Sequence, residues 1–325
     1  MLYRPLGRTG LKVSVLGFGA SPLGGVFGPV ADAEAERAVR TAIDLGVNLF
    51  DTSPFYGLTA SERVLGQCLV GVPRERYLLA TKVGRYGQDE FDFSAARVTA
   101  SVEASLARLR CGHIDLVQCH DIEFTSAAQI VDETLPALRR LRDQGKVRFI
   151  GVTGLPLAAL RAVVERCAVD SVLSYCRYGL HDTALAALLP GLQARGVGVL
   201  SAAPLAMGLL NAGGGPDWHP ADPELKAACQ RAWRHCQERG ADLGRLAVQF
   251  ALAHPGIAST FVGIASTAEV ERNAACVGTA PDAQLLAEVL AILAPVQGRT
   301  WPSGLPANQD PGVTASSAAH SPGSL

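Results

Sequence analysis

The chain has 325 residues and a mass of 34.0 kDa, with a formal net charge of −1 and 18% charged residues. That near-neutral balance provides no electrostatic footprint for nucleic acid or an anionic membrane and leaves a small neutral or weakly charged molecule as the expected partner. With 48% hydrophobic residues and a mean hydropathy of +0.20, much of the chain must enter a buried core, yet apolar runs such as GVGVLSAAPLAMGLL are too short and too broken by Gly and Pro to span a bilayer.

The N-terminus MLYRPLGRTGLKVS reads as a short hairpin turning at RTG. It lacks the apolar stretch and cleavage site of a signal peptide, so a cytoplasmic protein is expected. From there, strand-like apolar runs alternate with amphipathic helical ones: 13–20 with 31–46, 47–53 with 61–69, 77–84 with 94–110, and 113–121 with 128–145. The same beat continues through 147–154 with 155–167, 169–176 with 183–196, 196–204 with 222–240, and 259–266 with 267–277. Eight apolar strands, each followed by a helix, predict an α/β fold of the (β/α)₈ TIM-barrel type, filling residues 1–302 as one domain. The hairpin would cap the barrel bottom, and helices over 243–256 and 282–297 would pack outside. Residues 303–325, rich in Ser, Pro, Gly and Ala, are expected to be disordered. The eight cysteines show no C-x-x-C pair and read as reduced, small apolar side chains. No metal site is expected.

Active sites of this fold lie at the C-terminal ends of the strands. The second strand ends in FDTSPFYG with Asp51 and Tyr56, the third in ATKVG with Lys82, and the fourth in VQCHD with His120. Any one of the four has an ordinary structural use as a cap, a rim aromatic, a solvated strand end or a loop histidine. Together they place a phenol, a cation able to lower its pKa, an acid to hold the cation and an imidazole at one mouth.

DTSPFYG, ATK and QCHD, in this order, resemble the Asp–Tyr–Lys–His tetrad of the aldo-keto reductase superfamily, and the resemblance covers nearly all of residues 3–302. Further stretches (CHDIEF, FIGVTGLPL, SYCRYGLHD, SAAPLAMGLL, DWHPADPELK, TWPSG) look like plant-type aldose 1-dehydrogenases of that superfamily, with Arg177 departing from the land-plant pattern. The resemblance implies oxidation of L-galactose at C1 to its 1,4-lactone, in ascorbate biosynthesis, with Tyr56 as acid and base. It implies a nicotinamide cofactor contacting Gly19, Asp51, Thr153, Gly154, Ser174 or its neighbour Tyr175, Ala202, Leu205, Gly263, Ala265, Glu269 and Asn273. Thr153 and Gly154 replace the usual Ser-Asn pair, and Ala202 replaces the usual stacking aromatic.

GFGASPLGG is not a dinucleotide fingerprint of the Rossmann kind, because the third glycine position is Pro22. In VGIASTAEVERN, Glu269 falls where NADP-specific members of the superfamily carry a basic residue. A carboxylate there repels a 2′-phosphate and accepts from a free ribose hydroxyl, so NAD is the expected cofactor. The alternative use of Glu269 is to cap the helix it begins. Phe55, Tyr86 and His120 are the candidate sugar contacts. An NADPH-dependent aldehyde or ketone reductase, a dehydrogenase of L-fucose-like sugars, and a non-catalytic barrel like the potassium-channel β subunits stay open as alternatives. A monomer or small homo-oligomer is expected.

Overall fold

Ten strands occur among the described residues: β1 (Tyr3–Pro5), β2 (Lys12–Ser14), β3 (Leu16–Gly19), β4 (Leu49–Asp51), β5 (Leu78–Val83), β6 (Ile114–Cys119), β7 (Val147–Gly154), β8 (Ser171–Tyr175), β9 (Gly198–Ala202) and β10 (Ser259–Gly263). The computed structural model describes residues 1–212 and 214–313. Strands β3 to β10 close into a parallel barrel in sequence order, with β10 returning to β3. The fold is therefore the predicted (β/α)₈ barrel.

Its helical layer begins with α1 (Asp32–Asp44), α2 (Ala60–Cys68), α3 (Ala95–Leu109), α4 (Ala127–Gln129), α5 (Leu135–Asp143), α6 (Leu157–Val164) and α7 (Leu189–Ala194). It continues with α8 (Pro223–Glu238), α9 (Leu243–Ala253), α10 (Thr267–Ala274) and α11 (Ala283–Leu293). The helix expected over 128–145 is interrupted by a π turn at Ile130–Thr134. Pro136 explains the break, because it cannot donate to the carbonyl four residues earlier and its ring crowds that carbonyl. The outer pair also differs from expectation. Helix α9 packs against β10, α10 and α8, while α11 pairs with α8. The difference follows from composition: α9 sends Leu246 and Ala247 into one cluster and Val248 and Leu252 into another, so it is buried on two sides.

Strands β1 and β2 form the antiparallel hairpin at the barrel bottom. Leu6 and Val13 enter the barrel beneath a layer made of Leu49, Ala80, Leu116, Leu173, Leu200 and Phe261. Arg4 ties the hairpin to the carbonyls of Leu252, His254 and Ile257 at 2.7–2.9 Å. The floor is thus plugged, which leaves the opposite end as the mouth. All eight cysteines are free and six are buried. Burial pushes the Cys119 thiol up to about 12, far from the thiolate range.

Residues 303–313, expected to be disordered, instead lie as a strap over the mouth loops. The Leu305 N–H donates to the Glu123 carbonyl at 2.8 Å, and Asn308 donates to the carbonyls of Glu123 and Thr125. Asp310 accepts from the Ala158 N–H at 2.7 Å. The rest of that tail, 314–325, lies outside the described residues. No helix among the described residues is long and apolar enough to cross a membrane.

Candidate active site

Side chains alternate along a strand, so the residues two positions above the apolar layer of the barrel face the mouth. From Leu49, Ala80 and Leu116 this step leads to Asp51, Lys82 and Gln118, and the register pairs Lys82 with Gln118. The alternation brings three chemistry-bearing side chains together on β4, β5 and β6. Lys82 Nζ lies 2.5 Å from Asp51 Oδ2 and 2.9 Å from the Thr52 carbonyl, and the Gln118 amide donates to Asp51 Oδ1 at 3.2 Å. Tyr56 leans over this pair, with Nζ 4.8 Å from its ring centroid. His120, just past β6, is held by its N–H to the Val83 carbonyl, and its ring stands at 88° to Tyr56 with centroids 5.6 Å apart. All four predicted catalytic residues therefore meet at the mouth.

Burial dominates their electrostatics. It works against the Lys82 ammonium, but Asp51 and Tyr56 outweigh it and raise the Lys82 pKa, so the cation is secure. His120 is pushed down to about 3 by burial, so its imidazole is neutral throughout the working range. Tyr56 corrects an expectation. Although Lys82 pulls its pKa down, desolvation wins and raises it above that of a free phenol. The resting site holds a neutral tyrosine.

The two aromatic candidates for sugar contact divide. Phe55 sits beside His120 at 5.9 Å, but the Arg85 guanidinium covers one of its faces, with Cζ 3.8 Å from the centroid. Tyr86 is buried under Arg97, away from the tetrad. Two further side chains near His120 are charged ones that sequence patterns did not single out. Arg85 pairs with Asp121 at 2.6 Å, and Asp121 Oδ2 lies 3.7 Å from His120 Nε2. Asp121 adopts φ 52°, a strained conformation for a non-glycine residue and one that clusters at functional sites. Burial opposes its charge, but the Arg85 guanidinium, by its charge and its hydrogen bond, holds the carboxyl below its ordinary pKa. Beneath the strap, Glu123 is fully buried and is pushed up to about 8 by burial and by Asp121. Its carboxyl accepts from Ser303 Oγ and the Leu155 N–H and fills the space that a Cβ at Gly154 would need. Arg177, notable only as a departure in sequence, is a buried clamp joining Asp182 and strap residue Asp310 at 3.2 and 3.1 Å.

Across the mouth from the tetrad, the inward positions at the ends of β9, β10 and β3 are Ala202, Gly263 and Gly19, where side chains are small or absent. A Cβ at Gly19 would lie 2.9 Å from the Val262 carbonyl. The side of the mouth opposite the acid–base groups therefore carries no bulky side chain at these three positions, which lets a ligand approach the backbone there closely. Thr153 faces the mouth and accepts from the Asp121 N–H at 3.0 Å. Ser174 does not face it. It shares the helix-side face of β8 with Val172, whereas Leu173 points into the barrel, so the inward residue at that strand end is Tyr175. Leu205 packs on the core below the loop after β9.

Past β10 the chain enters α10, whose last turn carries the partly exposed Asn273 and whose first turn carries Glu269. Glu269 closes a capping box there. Its carboxylate accepts from the N–H groups of Ala265 and Ser266 at 2.6 and 3.2 Å, while Ser266 Oγ accepts from its own N–H. Glu34 adds a second carboxylate at the same helix start by accepting from the Thr267 N–H at 2.7 Å. Nothing in the local sequence signals Glu34, because α1 delivers it from a distant part of the chain.

The model of the aldo/keto reductase family matches residues 15–293. L-galactose dehydrogenase of Arabidopsis thaliana is 53% identical over 314 residues, which are 94% of this chain and 98% of that protein. D-arabinose 1-dehydrogenase of Saccharomyces cerevisiae is 34% identical over 251 residues, 73% of this chain and 74% of that one. The solved holo form of an aldo-keto reductase from Bacillus halodurans is similar with a TM-score of 0.77 at 28% identity, covering 93% of this chain and 99% of that one.

Proposed function

We propose, from the premise that the chain belongs to the aldo/keto reductase family, that it is an NAD-dependent aldose 1-dehydrogenase converting L-galactose to L-galactono-1,4-lactone, a step toward ascorbate. The observation that carries this is the placement of Tyr56 between a buried ammonium and a neutral imidazole at the mouth. A sugar in its cyclic hemiacetal form presents its anomeric hydroxyl to both groups. Tyr56, once ionised, takes the hydroxyl proton; Lys82 stabilises the phenolate, and Asp51 and Gln118 hold Lys82 in place. His120 orients the hydroxyl oxygen. The dinucleotide, when bound, supplies the acceptor for the hydride that leaves C1.

Two further features support the finer points. Arg85 and Asp121 offer a charged donor and acceptor beside His120, suited to the other hydroxyls of a sugar. Glu34 and Glu269 put two carboxylates at the start of α10, where a 2′-phosphate would meet like charge and a ribose hydroxyl would not. The similarity to the A. thaliana L-galactose dehydrogenase supports the choice of sugar. The test is a steady-state screen of free aldoses with NAD and NADP. L-galactose with NAD is expected to have the highest kcat/KM. Faster reduction of simple aldehydes by NADPH would overturn the proposal.

A further inference from the structure

A single buried hydrogen bond bears on which nitrogen of His120 carries the proton. Ser53 Oγ lies 3.0 Å from His120 Nδ1 and also accepts the Phe55 N–H at 3.1 Å. Ser53 is fully buried, and no other hydrogen-bond partner of its hydroxyl occurs among the described residues. A serine hydroxyl has one proton to donate, and a buried donor left without an acceptor costs about 1–3 kcal/mol. If Nδ1–H donated to Ser53, the oxygen would accept twice and its own proton would face no acceptor. If Ser53 donates to Nδ1, the hydroxyl proton and the Nδ1 lone pair are both satisfied, and the Nε2–H is left free to face the mouth.

We infer that Ser53 is a positioning residue that fixes His120 as the Nε2–H tautomer and aims that N–H into the mouth. Asp121 Oδ2, 3.7 Å from Nε2, agrees, because a carboxylate faces an N–H more favourably than a lone pair. The local chain holds the hydroxyl in place. Pro54 restricts Ser53 to extended backbone, and the two-residue step from Ser53 Oγ to the Phe55 N–H makes a side-chain turn with which Pro54, lacking an N–H, cannot compete. The chemical consequence rests on the proposed dehydrogenase reading. With Nε2 protonated, His120 can only donate to the substrate oxygen and cannot remove its proton, which leaves proton transfer to Tyr56 alone.

The test is long-range ¹H–¹⁵N NMR of histidine-labelled protein without substrate, with the His120 signals identified by their loss in His120→Gln. Wild type should show a pyridine-type Nδ1 and a pyrrole-type Nε2, and Ser53→Ala should show a mixture of tautomers. In Ser53→Ala, kcat should fall roughly 10²-fold, the low end for a misplaced proton-handling group, with the Kd for NAD unchanged, and Ser53→Cys should recover part of both signals. A pyrrole-type Nδ1 in wild type, or a Ser53→Ala variant with unaltered spectrum and kcat, would overturn the inference. If Ser53→Ala does not fold, the wild-type spectrum decides alone. Expected spectra together with no oxidation of any aldose would reject the substrate proposal and leave the tautomer assignment standing.

Discussion

Replacing Lys82 by methionine removes the ammonium while keeping most of the stem volume. In the native protein Lys82 and Asp51 are 2% and 5% exposed and Nζ sits 2.5 Å from the carboxylate. The variant leaves Asp51 buried with Gln118 as its remaining side-chain donor, and an uncompensated buried charge of this kind costs about 3–5 kcal/mol. At about 2–4 °C per kcal/mol for a large domain, the melting temperature should fall by roughly 6–20 °C. Adding Asp51→Asn removes the stranded charge, so the double variant should regain most of the loss, with a coupling of about 2–3 kcal/mol across the cycle. The sign with pH is also fixed. Burial holds the Asp51 pKa above its ordinary value, so the unpaired carboxylate destabilises at high pH, and the deficit of Lys82→Met shrinks as pH falls and Asp51 takes up a proton. Thermal and urea unfolding at pH 5 and pH 8, with steady-state turnover alongside, measure all three effects. A single-variant loss below about 1 kcal/mol, or a double variant as unstable as the sum of the singles, would show that this pair does not behave as a buried, mutually dependent ion pair.

Because Tyr56 rests neutral with a raised pKa and His120 titrates near 3, kcat/KM for aldose oxidation should climb with unit slope through neutral into alkaline pH with no inflection near 6–7. A profile that levels off by pH 7 would contradict this. Tyr56→Phe should abolish that climb and lower turnover by about 10²–10⁴ while NAD binding, followed by fluorescence, persists. Glu269→Arg should lower the NAD-over-NADP ratio of kcat/KM by roughly two to three orders of magnitude, about 3–4 kcal/mol. Glu269→Gln keeps the capping-box geometry and should lower the ratio less, so an unchanged ratio in both variants would assign the carboxylate to capping alone. A chain cut after Ser303 loses the bonds of Leu305, Asn308 and Asp310 to the mouth loops and half of the Arg177 clamp, and Asp310→Ala alone should cost about 1–3 kcal/mol. Unaltered melting in both would show that the strap adds nothing to the fold.

The barrel was legible because buried parallel strands leave near-continuous apolar runs and their helices leave amphipathic ones, and the tetrad because each member closes such a run. What sequence left hidden has physical causes. Sequence leaves Ser174 and Tyr175 open as alternatives at the end of β8, because one residue reverses the face of a strand and the face is settled only by Leu173 pointing into the barrel. The strap was missed because its order comes from backbone and short polar groups bonding to Glu123, Thr125 and Ala158, to which hydropathy is blind. The pKa of Tyr56 was given the wrong direction because the proximity of Lys82 could be inferred from motif order, whereas desolvation depends on everything packed around the phenol. Ser53 and Gln118 gain their importance only from the partner that another strand delivers.

Barrel closure also has a consequence for biosynthesis. β3, among the first elements translated, can complete its pairing only when β10 emerges near the other end of the chain. At about 5–20 residues per second on a ribosome, the nascent chain carries one open, apolar strand edge for on the order of ten seconds or more. Such an edge is a template for pairing with a neighbouring chain. Yield of soluble protein should therefore respond to growth temperature and to chaperone supply even where the finished barrel is stable.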